Sequence, residues 1–414
     1  MPNLSLSEIL GAPVIDSSGV VGGRVREVAI FPQDDPGRIA AFIVRTRNGD
    51  RMLPPAQITI IKNAVIYSSE SADRWTLLAS SEGFLLLERD LLDQQIIDVH
   101  GRKVVRVNDV DFSLVQSNGH PTLNICEVEI GPRGAVRRLL KNLVPRRAIN
   151  AMADRFSPKI IPWDFVDLIE VDPARRVKLK IGHERLSRLH PADIADILEE
   201  LAPAQREAVF ETLDEDVAAD ALEEIDPKLQ ASLVESLDSE HAADIVEEME
   251  PDAAADLFEN LSDQTSEQIL EEMQPDEREE VEELLEFEED TAAGRMTTAF
   301  ISVPHNATAG DAIDMLRGFE GGVETVSTIF LVDEAGRLTG AVPLAKIALA
   351  PSDAPLAALT SENLISCPIS AGEREVAELF DKYNLLTLPV VDDTGQLEGV
   401  ITADDIISLL RRKQ

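Results

Sequence analysis

The chain has 414 residues and a formal net charge of −39, with 77 Asp+Glu against 38 Lys+Arg. So acidic a chain does not bind nucleic acid through its overall charge. It holds no apolar run long enough for a membrane-spanning helix, its start, Met1-Pro-Asn-Leu-Ser, lacks the basic and apolar parts of a signal peptide, and its two cysteines are too few for a disulfide framework. Long enough for several domains, it reads as a cytoplasmic multidomain protein.

Residues 1–180 contain an imperfect duplication. Leu10 to Val28 aligns with Leu92 to Val110 at an offset of 82, and Leu53-Pro-Pro-Ala-Gln-Ile58 aligns with Ile161-Pro-Trp-Asp-Phe-Val166 at an offset of 108. Both copies read as short strands with Gly-containing hairpin turns, which predicts two small β-barrels over 1–80 and 85–180. They resemble PRC-barrel domains, and that resemblance implies adaptor modules that bind a partner. The change of offset places an insertion at 132–159 in the second copy. It carries Arg133, Arg137, Arg138, Lys141, Arg146 and Arg147, with Arg155 and Lys159 beyond them, against Asp154 alone. This segment reads as a basic helix. Its candidate partners are anionic headgroups at the inner face of a membrane, nucleic acid, or the acidic part of the same chain. Apart from Phe156 the segment lacks aromatics for base stacking, which argues against RNA. A solvated or intramolecular basic face is the simplest reading.

The charge is concentrated further on. Residues 1–190 carry 26 Lys+Arg and 23 Asp+Glu, whereas residues 191–290 carry 3 and 37, a net of −34. This block is a repeat, not a disordered tract. Pro203, Pro227, Pro251 and Pro275 fall every 24 residues, Leu201, Ile225, Met249 and Met273 recur with the same period, and Leu213, Leu237 and Leu261 follow half a period later. A fixed period of this length with apolar residues at helical spacing predicts two short amphipathic helices per unit, stacked into an all-α superhelical repeat domain over 184–290. Most of its carboxylates need no role beyond solubility. Asp252 and Asp256 differ, because stepping back 24 residues gives Lys228 and Ser232, and a further step gives Ala204 and Ala208. At i,i+4 the pair shares a helix face and repels unless a cation sits between its members. The plain alternative makes Asp252 a helix cap after Pro251.

Residues 291–414 are duplicated as well. Phe330 to Val342 matches Pro389 to Ile401, with Asp333/Asp392, Gly336/Gly395 and Gly340/Gly399 each 59 residues apart. Each copy reads strand, Asp-x-x-Gly turn, strand, preceded by an amphipathic helix at 309–318 or 372–383. This order resembles an α/β CBS-domain pair, with CBS 1 over 291–350 and CBS 2 over 351–414. The resemblance implies adenine-nucleotide binding (ATP, ADP or AMP) between the copies and a homodimer. Gly399-Val-Ile-Thr402-Ala-Asp-Asp405 looks like the family's ribose-binding ending, carried by Thr402 and Asp405. The first copy has Pro343 and Lys346 instead, so at most one nucleotide is expected. Thr402 as a simple cap of the last helix is the alternative.

The acidic repeat, then Thr291-Ala-Ala-Gly-Arg-Met-Thr-Thr298, then the CBS pair together resemble the cytosolic half of MgtE-type magnesium transporters. In that family Mg²⁺ holds the helical domain to the CBS pair. The resemblance maps metal ligands onto Asp252, Asp256, Glu324, Asp333 and Asp405, although Ala253 replaces one acid of the family's phrase. It implies a soluble Mg²⁺-responsive regulator without a pore, partnered by a membrane transporter or another protein, with weak peripheral membrane contact through the basic insert. The other function class left open is a nucleotide-responsive CBS scaffold, in which the repeat is a spacer and the barrels bind a partner. No phosphate-binding Gly loop, Gly-x-Ser-x-Gly or His/Cys cluster is present, so no catalysis is expected.

Overall fold

The computed structural model describes residues 4–31, 37–62, 64–78, 83–117, 120–140, 149, 152–153, 155–169, 184–288, 290–319, 326–360 and 364–412. They fall into two compact units, Met1–Val217 and Ala218–Gln414.

The first unit opens with an eight-stranded sheet. Its neighbours run Ile58–Lys62, Val65–Ser68, Pro13–Ile15, Val21–Ile30, Ile39–Thr46, Gly49–Leu53 and Thr76–Leu77, with Leu85–Leu86 also paired to Val21–Ile30. Gly23 is required where this sheet closes up, because a Cβ there would lie 2.5 Å from the Arg45 carbonyl oxygen. The second copy forms a four-stranded sheet, Leu4–Ser5, Asp109–Ser117, His120–Glu129 and Ile160–Pro162, and a three-stranded one, Lys103–Arg106, Gln95–Asp98 and Val166–Leu168. The duplication holds in detail. The hairpin of Pro13–Ile15 with Val21–Ile30 recurs 82 residues later as Gln95–Asp98 with Lys103–Arg106. The 3₁₀ turn Pro55–Gln57 recurs 108 residues later as Trp163–Phe165, and each leads into a strand. The copies do not stand apart. Strand Leu4–Ser5 pairs with Asp109–Ser117 of the second copy, and one apolar core runs from Leu6, Phe42 and Trp75 to Phe112 and Trp163.

The basic insert begins as the helix Pro132–Leu140. Arg137 is not an open cation. Its side chain is only 14% exposed, with Nη1 3.5 Å from Asp111 Oδ1. Burial and the charge of Asp109 push the Asp111 carboxyl up to about 6. Arg133 is half-buried. Lys141, Arg146, Arg147 and the side chain of Arg138 lie outside the described residues. The unit ends with the first repeat helices, Pro191–Glu200 and Pro203–Phe210, each with Pro in its first turn. Pro fits there because that N–H has no partner within the helix.

The second unit takes up the repeat from the helix Glu215–Glu223, which spans the boundary. Pro227–Val234, Ser239–Glu247, Pro251–Phe258, Asp263–Glu272 and Pro275–Leu285 follow. The phased apolar positions Ile225, Met249, Leu261 and Met273 are all buried, as the period requires. Two three-stranded sheets come next, Ser302–Pro304/Thr328–Val332/Leu338–Pro343 and Cys367–Pro368/Thr387–Val391/Leu397–Thr402. In both, the first pair is parallel and the second antiparallel. The helices Ala309–Arg317 and Glu373–Tyr383 precede the respective hairpins. The two hairpin tips pair with each other, Leu338 N–H donating to Gly395 O at 3.0 Å and Leu397 N–H to Gly336 O at 3.1 Å. Gly336 and Gly395 adopt φ of +77° and +84°, which side chains resist.

Candidate functional site

Acidic groups converge where the last repeat helices meet the second CBS copy. The helix Pro251–Phe258 starts from Glu250 at its N-cap, so Asp252 sits in the first turn and does not cap it. Asp256 follows one turn later on the same face. Opposite, Asp404 and Asp405 occupy the first turn of the helix Ala403–Arg412. Asp405 Oδ2 accepts from Thr402 N–H at 2.8 Å and from Thr402 Oγ1 at 2.6 Å. Thr402 therefore holds the Asp405 carboxylate at the start of the helix by donating to it twice. Glu223 closes one side, with Oε1 accepting Glu250 N–H at 2.8 Å.

These residues line a cleft of about 210 Å³, in which seven carboxylates, from Glu223, Glu224, Glu250, Asp252, Asp256, Asp404 and Asp405, face one cation, Arg295. Gly294 and Arg295 of the linker between the domains also line it. Ala292 N–H donates to Ala371 O at 2.7 Å, and Thr297 and Val400 exchange backbone bonds at 2.8 and 3.0 Å, so the linker is fastened to the second CBS copy. Beside the cleft, Leu284, Phe287 and Ala255 of the helical part share an apolar cluster with Ala293, Met296, Val376 and Ile401.

Burial raises the cost of charging these acids. Glu223 and Glu250 are pushed up to about 7, first by burial and, for Glu250, next by Glu223. Asp405 rises to about 6 through burial, which its Thr402 hydrogen bonds oppose. Asp252 is raised well above the usual carboxylate range by burial, then by Asp405 and Glu250. Its buried Oδ1 has no hydrogen-bond partner. A cleft like this takes up protons or cations. Among the described residues, no three His, Cys, Asp or Glu side chains are set to hold a bare metal ion. The donor set instead fits a hydrated Mg²⁺, which keeps several waters and needs one or two carboxylates.

Of the metal candidates from the sequence, the structure brings Asp252, Asp256 and Asp405 together. Asp333 lies elsewhere, in its hairpin turn, where Oδ1 accepts from the Ala335 and Arg337 amides and Oδ2 from Arg337 Nε at 2.9 Å. Its repeat mate Asp392 does the same with Thr394 and Gln396. The conserved-looking Asp of the duplication is thus a turn residue. Glu324 lies outside the described residues. Sequence reasoning missed Glu223, Glu250, Asp404 and Arg295. Glu223 and Glu250 sit among many repeat acids, and only folding selects them. Arg295 offered a signal, since Arg278 is the only other Lys or Arg between residues 229 and 295.

The fold and cleft define a class: an acidic helical domain joined to a CBS pair. Residues 189–290 match the MgtE intracellular N domain, and residues 292–353 and 356–412 match the CBS domain. The chain therefore carries the domain set of the cytosolic part of MgtE. It is 35% identical over 133 residues to the magnesium transporter MgtE of Thermus thermophilus and 32% identical over 131 residues to that of Enterococcus faecalis. The first match covers 32% of this chain and 30% of the transporter, the second 32% and 29%. The chain thus matches less than a third of the length of these relatives. The crystal structure of the soluble part of a magnesium transporter superposes with a TM-score of 0.53 at 26% identity, covering 59% of this chain and 94% of the other. The cytosolic domain of the Mg²⁺ channel MgtE in complex with ATP gives 0.53 at 30% identity, covering 56% and 94%. Among the described residues of this chain, no helix is long and apolar enough to cross a membrane.

Proposed function

We propose that the chain is a magnesium-responsive regulatory protein, in which Mg²⁺ enters the acidic cleft and ties the helical domain to the second CBS copy. One observation carries this reading: buried Asp252, with an unpartnered Oδ1, faces Asp405 across the domain boundary among further carboxylates. A hydrated ion bridging the two would supply the missing partner. The likeness to magnesium transporters supports the choice of ion. Calorimetric titration of the full chain with MgCl₂ at fixed ionic strength tests it. Weak binding in the millimolar range is expected, lost in Asp252→Asn. Equal binding by both proteins would refute the site.

A second reading is nucleotide binding by the CBS pair, favoured by the ATP complex of the related cytosolic domain. Asp405 serves the acidic cleft and Thr402 at once, so Mg²⁺ and a ribose would compete for it. Titration with ATP should then give one site per chain, lost in Asp405→Ala. The PRC-like barrels would bind a partner protein, the basic insert an anionic membrane surface, and the CBS pair a second copy. Regulation of a separate transporter fits the same scheme.

A further inference from the structure

Among the described residues, Arg295 is the only cation that lines the acidic cleft. Its backbone belongs to the CBS side, in the 3₁₀ turn Ala293–Arg295, where Ala293 N–H donates to Ile369 O at 3.1 Å. Its side chain crosses to the helical side. Nη1 lies 3.2 Å from both carboxylate oxygens of Asp256, and Nη2 lies 3.5 Å from Glu373 Oε1. The three side chains are 17%, 30% and 11% exposed, so water screens them only in part. A guanidinium suits this task, because its planar fork addresses two carboxylates with a fixed charge. Asp252, one turn earlier on the same helix, has no such partner for Oδ1.

We propose that Arg295 is a built-in cation that neutralises the Asp256 side of the cleft, anchored behind it by Glu373, and holds the helix Pro251–Phe258 to the CBS pair without metal. The divalent ion is thereby confined to the Asp252–Asp405 half, since a fixed guanidinium repels a second cation placed beside it. The clamp stands apart from the magnesium reading; the confinement of the ion rests on it.

Hydrogen exchange of the full chain in EDTA tests the clamp. Arg295→Met should speed exchange in 251–258 about threefold to tenfold, as expected for a partly buried ion pair. Arg295→Lys should recover part of the protection. Asp256→Asn should reproduce the loss, and the double variant should add little to it. Unchanged exchange in both Arg295→Met and Asp256→Asn would overturn the clamp, as would additive effects in the double variant. Counting bound Mn²⁺ by its paramagnetic resonance tests the confinement. One ion per cleft is expected in the parent chain and two in Arg295→Met; equal counts would overturn it. A parent chain that binds no divalent ion would sink the magnesium reading and leave the EDTA result standing.

Discussion

At the residue scale, Asp252 and Asp333 show how alike two acids look in sequence and how differently folding uses them. Asp333 satisfies its own turn and Arg337, whereas Asp252 is buried with an oxygen left over. Asp333→Asn should therefore leave Mg²⁺ binding unchanged while Asp252→Asn removes it, measured by the same titration. The raised carboxyls also set a pH dependence. Glu223 and Glu250 titrate near about 7 and Asp405 near about 6 in the folded chain, above the ordinary unfolded range of about 4. The folded state then binds more protons than the unfolded one over that interval. The contribution of these three groups to stability in EDTA is thus fully present below about pH 4 and is lost as pH rises through 6 and 7. Asp311, Asp333 and Asp392 are lowered, so their contribution changes only below about pH 4. Urea unfolding in EDTA should show a lower midpoint at pH 8 than at pH 5.5, with a shallower slope in Glu250→Gln. Mg²⁺ binding should release protons near pH 6.5, seen as a buffer-dependent heat; a buffer-independent heat would contradict it.

At the element scale, the helices follow the prolines. Pro203, Pro227, Pro251 and Pro275 each open a helix, so the 24-residue period was enough to place these starts, and Pro191, half a period earlier, opens one more. The 59-residue duplication likewise became two sheets of the same topology. The 82- and 108-residue offsets became matching hairpins and 3₁₀ turns. What the pattern could not carry was contact between elements distant in sequence. Leu4–Ser5 pairs with the second β copy, Arg137 is consumed by Asp111, and Leu284 packs on Met296 and its neighbours. Periodicity names the buried face of an element but not what covers it. The apolar cluster also opposes the separation of the helical and CBS parts that their like charge alone would drive in the absence of cations. Leu284 is 4% exposed there. Leu284→Ala should cost about 2–4 kcal/mol in urea unfolding and raise the Mg²⁺ needed to protect the 251–258 helix. A cost below about 0.5 kcal/mol would show that the cluster contributes little.

At the scale of the whole molecule, three terms act at one junction: apolar packing, a fixed arginine, and excess carboxylate charge. The first two hold the helical part to the CBS pair, and the third opposes them. Because the attraction is limited and the repulsion is local, a modest concentration of a divalent ion can decide the balance. The measurement that tests this most directly is hydrogen exchange of the full chain in EDTA and in millimolar Mg²⁺ at constant ionic strength. The account predicts added protection at 251–258 and at 403–405 with Mg²⁺, absent in Asp252→Asn. Identical exchange at those segments with and without Mg²⁺ would contradict it.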